Sequence, residues 1–274
     1  GRAMKIKRVT ALYFSPTGGV EGIARFAAEE LSRHLGAELR LLDFTAPDRR
    51  AHDHSFSSDE LLLAAVPVYA GRVPNKLLPD LKARLLGNGG PAVALCAFGN
   101  RSPDEAPREL ALLLEENGFQ VAACAALACR HAFSAKVGAG RPDDADREQL
   151  RRFLKQAADK LTAPGPLPPL DMDRGEIGPY YTPLRADGAP AKFLKARPQT
   201  RWDRCVHCGL CARVCPMGSI DGETAQPISV CIKCQACVRR CPAHAKYFED
   251  ADFLSHVAML EETCTERAEN IFLI

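Results

Sequence analysis

From residue 8 onward, short apolar runs alternate with longer stretches whose apolar positions return every three to four residues. The runs Arg8–Phe14, Glu38–Asp43, Leu61–Tyr69, Ala92–Ala97 and Val121–Ala128 predict strands. The stretches Gly19–Leu35, Pro74–Leu86, Asp104–Asn117 and Asp143–Leu161 predict helices. In the first of these Ile23, Ala27, Leu31 and Leu35 share one face, which must pack on a sheet. Ser102 and Gly118 read as start and stop signals of the third. Strands that are apolar throughout, rich in Val, Leu and Ala, and separated by crossover helices are buried on both faces. They predict an α/β fold with a doubly wound, five-stranded parallel sheet.

The pattern changes after residue 161. Eight prolines fall between Pro164 and Pro198, and no periodicity survives there. Residues 162–199 therefore read as a proline-rich linker, or an ordered connector crossing a surface. Residues 200–250 are rich in cysteine. Residues 251–274 read as a helix, with Phe253, Leu254, Val257 and Leu260 on one side, followed by an apolar Ile271–Ile274 tail that docks on the rest of the chain. The expected division is 4–161, 162–199, 200–250 and 251–274. Gly1, Arg2 and Ala3 stand ahead of Met4 as an expression scar.

Composition narrows the function classes. With 46% hydrophobic residues the chain can bury a sizeable core. The longest apolar stretch, Val121–Ala128, is far short of the ~20 residues that span a bilayer, and no signal peptide is evident, so a soluble, cytoplasmic protein is expected. A formal net charge of +2, with signs mixed along the chain, gives no reason to expect nucleic acid or a membrane as partner. Twelve cysteines are many for 274 residues, and in a cytosolic protein they point to metal.

Eight of them form two runs, Cys205-x-x-Cys208-x-x-Cys211-x-x-x-Cys215-Pro216 and Cys231-x-x-Cys234-x-x-Cys237-x-x-x-Cys241-Pro242, offset by 26 residues. Three thiolates at i, i+3 and i+6 wrap a turn of chain around three corners of a cube, and the fourth corner needs a ligand from elsewhere. In two-cluster bacterial ferredoxins the fourth cysteine of each run serves the other cluster. On that rule Cys205, Cys208, Cys211 and Cys241 hold one [4Fe–4S] cluster, and Cys231, Cys234, Cys237 and Cys215 hold the other. Zinc on Cys-x-x-Cys pairs is the alternative, and a three-plus-one pattern repeated twice fits it poorly. Cys96, Cys124, Cys129 and Cys264 are scattered and read as packing residues.

The first strand runs into Ser15-Pro16-Thr17-Gly18-Gly19-Val20 and then a helix. Hydroxyls and backbone amides at such a helix start suit a phosphate; the alternative is a helix cap with no ligand. The turn is neither a Walker loop nor the dinucleotide fingerprint. In doubly wound sheets ligands sit beyond the carboxyl ends of the strands. Two further loops leave strand ends there, Pro67-Val68-Tyr69-Ala70-Gly71-Arg72 and Ala97-Phe98-Gly99-Asn100-Arg101. Their rings, glycines and polar groups suit a flat ring system. Tyr69 and Phe98 read equally well as core aromatics. His131 falls at the end of the last strand, on the same side of the sheet.

On these residues, positions 5–161 resemble a short-chain flavodoxin, and the cysteine unit resembles a two-cluster bacterial ferredoxin. Together they are similar to the flavodoxin–ferredoxin fusions (EFR-type family ferredoxins) of anaerobic bacteria. The resemblance implies strand order 2-1-3-4-5 and one FMN. Ser15, Thr17, Gly18 and Gly19 would bind its phosphate, and Tyr69, Phe98 and Gly99 would lie near its ring. At Val20, where flavodoxins usually carry a threonine, a hydroxyl donor is lost. The function expected is electron transfer between two [4Fe–4S] clusters and FMN, to or from a partner redox protein. Two alternatives stand beside it. One is an FMN-dependent reductase of a small-molecule acceptor, such as a quinone or conjugated pigment. The other is a sensor with structural clusters and no flavin.

Overall fold

The computed structural model describes residues 5–274, so the expected expression scar and Met4 lie outside the described residues. Counting strands of three or more residues, the order is β1 (Arg8–Tyr13), α1 (Gly19–Leu35), β2 (Glu38–Asp43), β3 (Glu60–Pro67), α2 (Leu78–Arg84), β4 (Pro91–Phe98), α3 (Ala106–Glu116), β5 (Gln120–Ala128), α4 (Asp144–Thr162), α5 (Leu210–Val214), α6 (Ala236–Arg240), α7 (Ala251–Thr263) and β6 (Ile271–Leu273). The first five strands are parallel and lie in the order β2-β1-β3-β4-β5. This is a doubly wound, flavodoxin-like sheet.

Alternation within the strands feeds two cores. Val9 and Ala11 of β1, with Leu61 and Leu63 of β3, face α1 and α4, where Ile23, Leu31, Phe153 and Leu154 cover them. Leu12, Leu62, Val66 and Cys96 face the other way, under Leu81 of α2 and Leu110 and Leu114 of α3. The alternation slips once, where the β4–β5 register shifts between Ala92 and Val93. The bulge puts Ala122 and Ala123 on the same face.

Two expectations need correction. The second helix, read as Pro74–Leu86, spans only Leu78–Arg84, because Leu85 and Leu86 leave it to pair in parallel with His54 and Ser55. The C-terminal stretch is helical only to Thr263. Its tail then joins the sheet, with Ile271, Phe272 and Leu273 antiparallel to Ala126, Ala125 and Cys124 of β5. Asn100, Arg141 and Asp146 prepare this docking. Asn100 Oδ1 accepts from the Ala268 N–H (3.0 Å), and its Nδ2 donates to the Glu266 carbonyl (2.9 Å). Asp146 is fully buried against Arg141 and accepts from Asn270 Nδ2 (2.8 Å). Desolvation alone would raise the Asp146 carboxyl, but hydrogen bonds from Arg141, Asn270 and the Asp143 N–H hold it well below the usual carboxylate range.

The proline-rich stretch is an ordered strap. Arg108 donates to the carbonyls of Asp173, Gly175 and Glu176, and the Tyr181 N–H donates to Ala70 O at 2.8 Å. Beyond it the 26-residue repeat is structural. His207 and Lys233 have φ of 54° and 55°, Gly209 and Gln235 have 73° and 71°, and α5 and α6 follow each at the same place. A short antiparallel pair, Gln199–Thr200 with Lys246–Tyr247, closes the unit.

Candidate functional site

The eight cysteines stand around two voids. One is lined by Cys205, Cys208, Cys211 and Cys241. The other is lined by Cys215, Cys231, Cys234 and Cys237. These are the two groups that crossed ligation assigns, with Cys215 and Cys241 exchanged between the runs. The N–H groups of His207, Lys233, Ser219 and Ala245 donate to the sulfurs of Cys205, Cys231, Cys215 and Cys241 at 3.3–3.4 Å. Donors of this kind stabilise thiolate charge and orient the sulfur. Burial works against that charge. It pushes the Cys237 thiol to about 12 and raises Cys231 and Cys234, so these groups fit a positively charged core between them. Among the described residues no three Cys, His, Asp or Glu side chains converge on a point as the ligands of one ion do. The sulfurs surround a volume instead, which suits a cubane cluster better than zinc.

A third cavity, of about 490 Å³, opens beyond the carboxyl ends of β1, β3, β4 and β5. Ser15, Thr17, Gly19 and Val20 line one end of it. There the Ser15 hydroxyl accepts from the Glu21 N–H (2.9 Å), which leaves its own proton to donate. Pro67, Val68, Tyr69, Ala70 and Gly71 line a second side. Tyr69 and Arg72 exchange two backbone hydrogen bonds across Ala70 and Gly71, whose φ values are 50° and 75°. That is the pattern of a type I′ turn. A Cβ at Gly71 would lie 2.3 Å from Asp104 Oδ2, so only glycine fits. Gly99 and Arg101 line the third side, and a Cβ on Gly99 would meet the His131 ring at 2.5 Å. The donor set, the glycine-lined slot and the helix start fit FMN: hydroxyls and amides for a phosphate, and apolar loops for a flat ring.

Three expected residues lie elsewhere. Phe98 is buried in the core with Phe14 and Leu110, because it falls on the α3 side of β4. Asn100 is spent on the C-terminal tail and Arg141. Gly18 shapes the turn (φ 92°) without lining the cavity. Tyr69 lines it, and also sits beside the second thiol set. Burial, then Cys234 and Cys231, drives its hydroxyl well above the ordinary phenol value.

The far wall was not read from the sequence. Tyr181, Pro183 and Phe193 of the strap, His256 and Leu260 of α7, Phe133 and Arg239 complete it. The guanidinium of Arg101 stacks on Tyr181, 3.6 Å from the ring centre. His131 Nδ1 accepts from the Phe133 N–H (3.0 Å), so Nε2 carries the proton of the neutral ring. Burial, then His256 and Arg101, lowers its pKa to about 4. Apart from Leu260, which falls on the apolar side of the last helix, no sequence periodicity marks these residues; the fold brings them to the cavity.

The chain matches the 4Fe-4S binding domain family over residues 198–221 and again over 228–247. Among solved structures it is similar to a flavodoxin from the domain Archaea. The identity is 15%, the match covers 57% of this chain and 99% of that one, and the TM-score is 0.40. A Streptococcus pneumonia TIGR4 flavodoxin matches at 21% identity, over 56% of this chain and 97% of that one, with a TM-score of 0.37. The apo form of an NADH:FMN oxidoreductase matches at 16% identity, over 58% and 92%, with a TM-score of 0.41. No curated protein matches. The sheet order gives the chain a flavodoxin-like α/β fold, and the two family matches place segments similar to 4Fe-4S binding domains after it.

Proposed function

We propose that the chain is an electron-transfer protein, passing electrons between two [4Fe–4S] clusters and a bound FMN and on to or from a partner redox protein. Clusters exchange electrons singly and a flavin accepts one or two, so their union joins one-electron to two-electron chemistry. One observation carries the reading. Ile232, Lys233 and Cys234 line both the void of the second thiol set and the large cavity. That set is therefore proximal to the flavin site. The first set is distal, and its Cys208 is exposed, which suits exchange with a partner protein. Ser15 and Thr17 would hold the FMN phosphate, and the loops at Tyr69 and Gly99 the ring. Among the described residues no helix is long and apolar enough to cross a membrane, which fits a cytoplasmic carrier.

An anaerobic redox titration of reconstituted protein, followed by visible and EPR spectra, tests this. Two clusters and one flavin that reduce in turn are expected; a preparation that binds no flavin would sink the reading. The far wall of Phe193, His256 and Leu260 also supports a second reading, in which a small acceptor such as a quinone is reduced inside the cavity. Turnover of quinones above the rate of free FMN would establish it, and no such turnover would remove it.

A further inference from the structure

The 26-residue repeat makes the two cysteine turns comparable position by position. Ile232, Lys233, Cys234 and Arg239, from the second turn and the helix after it, line the large cavity. Their counterparts in the first copy are Val206, His207, Cys208 and Arg213. All four of these are exposed, Val206 by 67%. The face that the second copy presents to the flavin site is the face that the first copy leaves open.

The open face has its own chemistry. Trp202, the only tryptophan of the chain, is 48% exposed and stacks on the His207 ring, with centres 6.1 Å and planes 15° apart. With Val206 it sets exposed apolar area next to the exposed Cys208. Arg213 Nη1 donates to the Cys208 carbonyl (3.0 Å), which holds its guanidinium at the same turn. Arg204 is exposed, and Arg201 stacks on Tyr247, 4.0 Å from the ring centre. Among the described residues none of these three guanidiniums pairs with a carboxylate. Against them stand Asp203 and Glu223, since Asp221 is spent on the N–H groups of Glu223 and Thr224. Tryptophan and arginine are the residues that carry protein interfaces. Unpaired arginines beside them select a partner of negative charge.

Resting on the cluster reading above, we propose that Trp202, Val206, Arg204 and Arg213 form the docking face for a small one-electron carrier protein whose own redox centre is rimmed by aspartate and glutamate. The carrier's centre then meets the distal thiol set on its Cys208 side, as the flavin site meets the proximal set on its Cys234 side. Each encounter moves one electron. The carrier's centre is oxidised and the distal cluster reduced, or the reverse; no proton moves and no bond breaks. Charge brings the carrier in quickly, and a narrow apolar centre lets it leave, the combination that transient electron transfer needs.

The test is stopped-flow reduction of the cluster-loaded chain by a reduced, strongly acidic two-cluster ferredoxin, held below saturation. The wild-type rate is expected to fall about tenfold or more between about 20 and 300 mM salt. At low salt Arg204→Glu should slow it about tenfold, and Trp202→Ala should do so by a similar factor through loss of an aromatic anchor. Lys155→Glu, the same charge reversal on the exposed side of α4, keeps the wild-type rate. Dithionite, which needs no docking face, reduces all four proteins alike. A wild-type rate that ignores salt would overturn the proposal, and that result stands even if a variant fails to take up iron. So would variants that the ferredoxin reduces as fast as wild type, an equal slowing in Lys155→Glu, or a slowing with dithionite as large as with the ferredoxin. A wild-type chain that holds no clusters, or whose clusters dithionite cannot reduce, would instead defeat the underlying reading.

Discussion

Arg240 Nε donates to the carbonyl oxygen of Pro16 at 2.9 Å. The residue before the last cluster cysteine is thereby fastened to the turn that opens α1. A Cβ placed on Gly18 would lie 3.5 Å from Arg240 Nη2, so the guanidinium covers the turn from outside. Arg240→Gln should loosen that turn and weaken FMN binding by about tenfold or more, the worth of one charged hydrogen bond. Flavin fluorescence quenching would measure it, with iron content as the control. Unchanged affinity would mean that the turn holds its shape without the ferredoxin unit.

A second clamp runs the other way. Arg50 is 6% exposed. It pairs with Asp80 (3.0 Å) and donates to the carbonyl of Pro216 (2.6 Å), the residue after Cys215. Arg50→Ala would orphan that carbonyl along with those of Phe44 and Thr45. A loss of about 3 kcal/mol is expected in urea unfolding. A change below about 0.5 kcal/mol would show that water replaces the arginine at little cost.

His131 predicts a pH dependence. Its folded pKa of about 4 lies below the 6.5 of a free imidazole, so below pH 6.5 the unfolded chain takes up a proton that the folded chain refuses. Stability should therefore fall as pH drops from 6.5 toward 4, by on the order of 3 kcal/mol in all. His131→Asn should flatten this part of the profile. Urea midpoints of the two proteins between pH 7 and 4.5 make the comparison, and parallel curves would exclude the assignment.

The two thiol sets should fail separately. Cys208→Ala should cost about half the iron, four of eight atoms on the cubane count, and leave the flavin site in contact with its neighbouring cluster. Cys234→Ala should also remove about half, and in addition slow reduction of the flavin by a protein donor. Stopped-flow absorbance separates the two. Equal flavin reduction rates would argue against the distal-to-proximal order.

How much of this the sequence disclosed depended on range. Strands buried on both faces announce themselves, and so does a thiol spacing repeated at 26 residues. The misassignments arose where one residue's direction decides. Phe98 and Gly99 are neighbours on a strand end, and the pleat sends Phe98 into the core while Gly99 borders the cavity. The two-residue pair His54–Ser55 with Leu85–Leu86 is too short to leave a period. Tyr181 and His256 are invisible as site residues because their neighbours come from distant segments.

The tail Ile271–Leu273 gives the chain an unusual connectivity. It returns to the same sheet that residues 8–128 build, so the iron–sulfur unit is a loop spliced between the fifth and sixth strands and held at both ends. A single proteolytic cut in the strap would leave the halves associated, because β6 still grips β5. Trimming back to residue 161 would do more than remove a passenger. It would strip β5 bare, exposing a row of unpaired backbone groups of the kind that recruits foreign strands. The α/β unit is thus built to be sealed by a strand that follows its own iron–sulfur unit.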